Sequence, residues 1–214
     1  MPHGSGANLV KRILTAWLLL AAAAPALSGC VAVMAAAVEK AYEDRSTAAQ
    51  LTDAKIHARI LAYLTGISAD LLADVNTDIW LGRVLLTGTL DDAGLRGRIV
   101  KYARADRHVR AVYDHIQVVS KRVKEKRRQG REDSDLGRSI NDAWISAKVK
   151  ARLLSMYNVK SVNYRWQTVL SRVYIIGSAT SRAERDLVLR VLHATKGVRG
   201  VTSYIGILKK KRAK

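Results

Sequence analysis

The chain repeats itself. Residues 52–119 and 141–208 align without a gap at an offset of 89 positions. Asp53, Ala54, Ile56 and Ala58 return as Asp142, Ala143, Ile145 and Ala147. Arg83-Val84 returns as Arg172-Val173, Gly88 as Gly177 and Arg96 as Arg185. Val109-Arg110 returns as Val198-Arg199, and Ile116 as Ile205. Such a register over 68 residues points to two copies of one small domain rather than one larger fold.

Hydrophobic spacing gives each copy the same order. Ile56, Ile60 and Leu64, like Ile145, Val149 and Leu153, recur every fourth residue and predict a helix with one apolar stripe. Thr52 or Asp53, and Asn141 or Asp142, are the expected N-caps. Alternation at Val75, Thr77 and Ile79, and at Val162, Tyr164 and Trp166, predicts a strand. "LGRVLLTG" and "LSRVYIIG" then turn back as a second strand, expected to end at Gly88 and Gly177. A second helix follows, opened in the second copy by the capping box Ser181-x-x-Glu184. Last comes a β-rich run, 109–119 or 198–208. An α-β-β-α-β order predicts an α+β fold, in which a three-stranded mixed sheet carries two helices on one face.

The flanks differ in kind. Lys11 and Arg12 precede an apolar run of 15 residues, Ile13–Leu27, shorter than the ~20 a membrane-spanning helix needs. A positive start and a short apolar run describe a secretory leader. The run ends in "LSGC", similar to the bacterial lipobox, with Cys30 the only cysteine. Cys30 is thus the expected lipid-attachment residue, a covalent lipid anchor. Val31 after it, in place of aspartate, points to the outer membrane. The expected divisions are a signal peptide (1–29), a lipidated tether with some helical content (30–51), a first domain (52–120), a basic linker or helix extension (121–140), a second domain (141–208) and a basic tail (209–214).

Charge narrows the partner. With 37 Lys+Arg against 18 Asp+Glu the formal net charge is +19, which calls for an anionic partner. Outside the cytoplasm chromosomal DNA is absent, so phospholipid takes precedence over nucleic acid. The five histidines are scattered, and no nucleophile elbow, phosphate loop or metal-ligand spacing appears, so neither an enzyme nor a cofactor is expected.

Each copy resembles a BON domain, the bacterial OsmY and nodulation module. The resemblance rests on the "DA-x-I-x-A" helix, the "RV" strand with Gly88 or Gly177, and the closing "GVRGVTSYIGI". The first copy has His108 where the family usually has glycine. The whole layout is similar to dual-BON outer-membrane lipoproteins that support envelope integrity and lipid asymmetry. That resemblance implies that the second domain binds anionic phospholipid through its first helix, including a tryptophan. The matching residue is Trp144, and Lys148, Lys150, Arg152 and Leu154 complete the expected phospholipid-binding set. Trp144, Lys148 and Arg152 fall at i, i+4 and i+8, on the helix flank. A tryptophan covering the domain's own core is the other reading of Trp144. The first copy offers Lys55, Arg59 and Tyr63 there, without the leading aromatic. The alternative for the whole protein is a periplasmic scaffold that docks an envelope assembly or secretion protein.

Overall fold

The structure, a computed structural model, describes residues 42–129 and 137–208, with backbone only over 126–129 and 137–141. Cys30, the leader and the basic tail lie outside the described residues. The described residues from Asp44 onward belong to one compact unit that contains both repeats.

The first repeat runs α1 (Thr47–Ile67), α2 (Leu71–Asp74), β1 (Val75–Trp80), β2 (Arg83–Leu90), α3 (Ala93–Ala105) and β3 (Ala111–Val118). A helix α4 (Lys121–Gln129) follows, so the basic linker is in part helical. Lys124 ties it back through Asp91 (2.7 Å) and Asp74 (3.1 Å). The second repeat runs α5 (Gly137–Leu154), a 3₁₀ turn (Ser161–Asn163), β4 (Tyr164–Val169), β5 (Arg172–Ala179), α6 (Arg182–His193) and β6 (Gly200–Ile207). In each repeat the middle strand pairs antiparallel with the one before it and parallel with the one after the helix. The result is the expected α+β mixed sheet.

Each helical stripe closes a core on one face of its sheet. Ile56, Ile60 and Leu64 of α1 meet Ile99, Val100 and Ala103 of α3 over Val84, Leu86, Leu90 and Ile116. Ile145, Val149, Leu153, Val188 and Leu192 do the same over Val173, Ile175 and Ala179. Asp92 caps α3, and Ser181 caps α6 by accepting from Glu184 N–H at 3.1 Å.

Several local expectations are corrected. Helix α1 starts at Thr47, capped by Ser46, and α5 starts at Gly137, so none of Thr52, Asp53, Asn141 and Asp142 is an N-cap. Val162 lies in the 3₁₀ turn rather than in β4. The strands β2 and β5 run past Gly88 and Gly177. Those glycines are set by space: a Cβ would come within 2.0 Å of the Asp74 carbonyl oxygen or 2.2 Å of that of Asn163.

Asp53 and Asp142 have a different task. Each lies buried on its helix and accepts two backbone N–H groups from the hairpin turn. Asp53 takes Leu81 N–H (2.7 Å) and Gly82 N–H (2.8 Å); Asp142 takes Leu170 N–H (2.8 Å) and Ser171 N–H (2.7 Å). Both turns hold two successive residues at positive φ: Leu81 (53°) and Gly82 (73°), Leu170 (52°) and Ser171 (63°). That is the geometry of a two-residue hairpin loop, for which Asn-Gly is the usual choice. A residue with a Cβ at such φ costs roughly 1–2 kcal/mol. The carboxylates offset that strain. Ser171 carries a further cost, a buried Oγ without a hydrogen-bond partner among the described residues. Ser171→Gly, which installs the residue of the first copy, is expected to stabilise the fold by about 1 kcal/mol. A fall in the urea unfolding midpoint would contradict this account of the turn.

The face of each sheet away from its helices is covered by the other sheet. Trp80 and Leu85 pack with Val169, Tyr174 and Ile176 in a third apolar cluster, bordered by Tyr113 and Tyr204. Trp80 Nε1–H donates to Ser178 Oγ at 2.8 Å, and the Tyr113 and Tyr204 rings stack at 3.6 Å. Two bonds join residues 89 positions apart: Gln167 Nε2–H donates to Asp78 Oδ2 (3.0 Å), and His115 Nε2 meets Tyr204 OH (2.6 Å). Each of these residues meets its own repeat counterpart, so a pseudo-two-fold axis relates the copies. Burial pushes the His115 imidazole below its ordinary pKa. The Asp114 carboxylate opposes this, and the Arg96 and Arg172 charges reinforce it.

Candidate membrane-facing helix

Helix α5 turns about 100° per residue, so its core stripe leaves one face pointing outward. Ile145, Val149 and Leu153 are fully buried. Trp144, Ala147, Ala151 and Leu154 fall on the opposite side, at i, i+3, i+7 and i+10, and all four are exposed. Trp144 is 61% exposed and Leu154 58%, so the tryptophan does not cover the core. The helix therefore carries a second apolar seam, bulky at both ends and small in the middle. Trp144 to Leu154 spans ~15 Å at 1.5 Å per residue.

Basic residues border this seam. The Lys148 ammonium lies 5.1 Å from the Trp144 ring centre, within cation–π range. Lys150 is exposed on the other side. Arg152 reaches the end of α6, donating to the Ala194 carbonyl (2.9 Å) and Thr195 Oγ1 (3.3 Å). It satisfies a helix C-terminus as well as carrying charge at the seam's edge. All five residues of the expected set thus belong to one helix. Trp144 and Leu154 share its outward face, while Lys148 and Arg152 lie to one side and Lys150 to the other.

The first repeat closes the equivalent surface. Lys55, Ala58, Ala62 and Thr65 replace the seam, with no bulky apolar residue. Arg59, the counterpart of Lys148, is paired with Asp106 at 2.6 Å. Tyr63, the counterpart of Arg152, stacks on Tyr102 with ring centres 3.9 Å apart. In the second repeat the place of Asp106 is taken by the neutral Thr195, so the same helix flank keeps its positive charge. His108 replaces the positive-φ glycine Gly197 of the second copy, and the turn is held instead by His108 N–H donating to Asp106 Oδ1 at 2.9 Å.

Sequence reasoning missed the two alanines between Trp144 and Leu154, which the 100° spacing does disclose. No helix of the described residues is long and apolar enough to cross a membrane. Among the same residues, no group of three or more histidine, cysteine or acidic side chains could hold a metal.

A protein from Anaplasma centrale, described only as an uncharacterised protein in the gshII 5′ region, is 35% identical over 124 residues, covering 58% of this chain and 75% of its own. Two solved structures of CdsD, a structural protein of the type III secretion system of Chlamydia trachomatis, are similar at 11% identity. One has a TM-score of 0.29, covering 65% of this chain and 92% of its own. The other is its C-terminal domain, with a TM-score of 0.26, covering 66% and 99%. The BON domain family model matches residues 50–120 and again 141–208. With two matched segments that take up most of its length, the chain belongs to the BON domain family.

Proposed function

We propose that this protein is an outer-membrane lipoprotein, anchored at Cys30, whose second BON domain lays α5 on anionic phospholipid and so supports the envelope barrier. BON domains are binding modules associated with phospholipid membranes and envelope proteins, which supports a binding role over a catalytic one. The observation that carries the reading is the exposed seam from Trp144 to Leu154 with cations on both sides, present in one repeat and replaced in the other. A helix with an apolar outer face and basic borders suits the plane of the lipid–water interface. Tryptophan places its ring at the boundary between headgroups and acyl chains, with its N–H toward the headgroups. Each lysine or arginine near an anionic surface contributes ~1 kcal/mol, lost as salt rises.

Sedimentation of residues 44–214 with vesicles tests this. Vesicles containing phosphatidylglycerol or cardiolipin are expected to bind, and phosphatidylcholine vesicles are not. Trp144→Ala is expected to lower affinity about tenfold, near 1.4 kcal/mol. Equal binding to neutral vesicles, or an unchanged Trp144→Ala variant, would refute the proposal.

A further inference from the structure

We infer that the bilayer-contacting surface extends past α5 to Tyr157, a second aromatic contact with the interface of an anionic membrane, at the edge where the chain enters this body. The inference rests on the phospholipid reading above.

Tyr157 is fully exposed, at 101% of its reference area. It is not on a loose loop. Met156 before it packs against the second core, and Val159 after it is buried there. Val159 N–H donates to the Met156 carbonyl at 3.2 Å, which closes a turn with Tyr157 at its apex. The far side is held as well: Lys160 N–H donates to Glu184 Oε1 at 2.9 Å. A rigid turn that holds a fully exposed aromatic ring spends no folding free energy on burying it. The turn begins where the seam ends, since Leu154 is three residues earlier and is itself exposed. Lys150 and Arg152, both exposed within four residues of Leu154, bring positive charge to this end of the helix, whereas Lys160 is paired with Asp44. The first repeat has Ser68 at the position of Tyr157. An apolar tip continuous with the seam, among cations, fits the interfacial zone of an anionic bilayer, where tyrosine is enriched.

A second observation concerns the chain's entry. Asp44 leads directly into the first domain, yet it is bound to the second. Asp44 N–H donates to Asn163 Oδ1 (2.9 Å), Asn163 Nδ2–H donates to Asp44 Oδ2 (2.7 Å), and Lys160 pairs with the same carboxylate. Asn163 is fully buried. Arg45 then crosses to the first domain, where it pairs with Asp53 and lies 4.3 Å from the centre of the Trp80 ring. This strap fixes the entry point beside the Lys160 side chain, on a residue three positions along the chain from Tyr157. A lipid anchor upstream of Asp44 would therefore hold Tyr157 near the bilayer and raise its effective concentration there.

The test uses the full chain reconstituted in vesicles of phosphatidylglycerol and phosphatidylethanolamine. A benzophenone amino acid replaces Trp144, Tyr157 or, as the first-domain control, Tyr102, and lipid adducts are measured by mass spectrometry. Adducts at 144 and 157, several-fold above those at 102, are expected. Adducts at 144 with none above control at 157 overturn this inference and leave the phospholipid reading standing. Absence at both positions overturns both, and a protein adduct at 157 in whole envelopes without a lipid adduct overturns the inference in favour of a protein partner. Asp44→Ala is expected to lower the yield at 157 more than at 144. An equal fall at the two positions would remove the strap from the account.

Discussion

Trp80→Ala is expected to destabilise the protein by about 4 kcal/mol and to uncouple its two domains. Trp80 is fully buried and is the largest such side chain among the described residues. It belongs to neither helical core but to the cluster between the sheets. Its removal opens a cavity there and leaves Ser178 Oγ without its 2.8 Å donor. It also takes away the ring that Arg45 and Arg165 cover, at 4.3 and 5.6 Å. Each helical core stays intact, because neither includes Trp80. Calorimetry should therefore show two separated transitions in place of one. A single transition with a loss below about 1 kcal/mol would mean that the sheets do not stabilise one another.

The second large effect is expected at Asp142. Asp142→Ala removes the acceptor of two backbone N–H groups, at Leu170 and Ser171, in a turn that is already strained. Hydrogen bonds to a charged group contribute ~1.5–3 kcal/mol each, and a buried donor left unmade carries its own penalty. We expect a loss of about 3 kcal/mol by urea unfolding. Asp142→Asn should recover little, because its amide N–H₂ would face one of the two donors. Full stability in the asparagine variant would show that a single acceptor is enough. Combining Asp142→Ala with Ser171→Gly should return part of the loss, since the two residues act on one turn.

Much of the fold was legible because it depends on local period. Ile56, Ile60 and Leu64 announce a helix, and the 89-residue echo repeats the announcement. The contact between the sheets was legible in principle. "VLLTG" and "VYIIG" are apolar on both faces, the pattern of a strand covered on both sides. Leu85 and Tyr174 belong to the outer cluster, while their neighbours Leu86 and Ile175 belong to the cores. Asp53 and Asp142 misled because an aspartate near a helix start resembles a cap. The carboxylates serve instead a turn 28 and 29 residues away, which no local rule discloses. On α5 the flank assignment of Trp144 was coarse. Counting alanines as apolar resolves it to the outward face.

The axis between the repeats has a consequence for assembly. Asp78 faces Gln167 and His115 faces Tyr204, each its own counterpart 89 residues on. If two first domains met through this surface, carboxylate would oppose carboxylate and imidazole would oppose imidazole. If two second domains met, glutamine would oppose glutamine and tyrosine would oppose tyrosine, with no large indole like Trp80 between them. The mixed pairing is the one that places a donor against Asp78 and a hydroxyl against His115. Divergence at the symmetry positions has thus made the halves prefer each other over themselves. A duplicated chain that could have polymerised by pairing like half with like half is biased against that route.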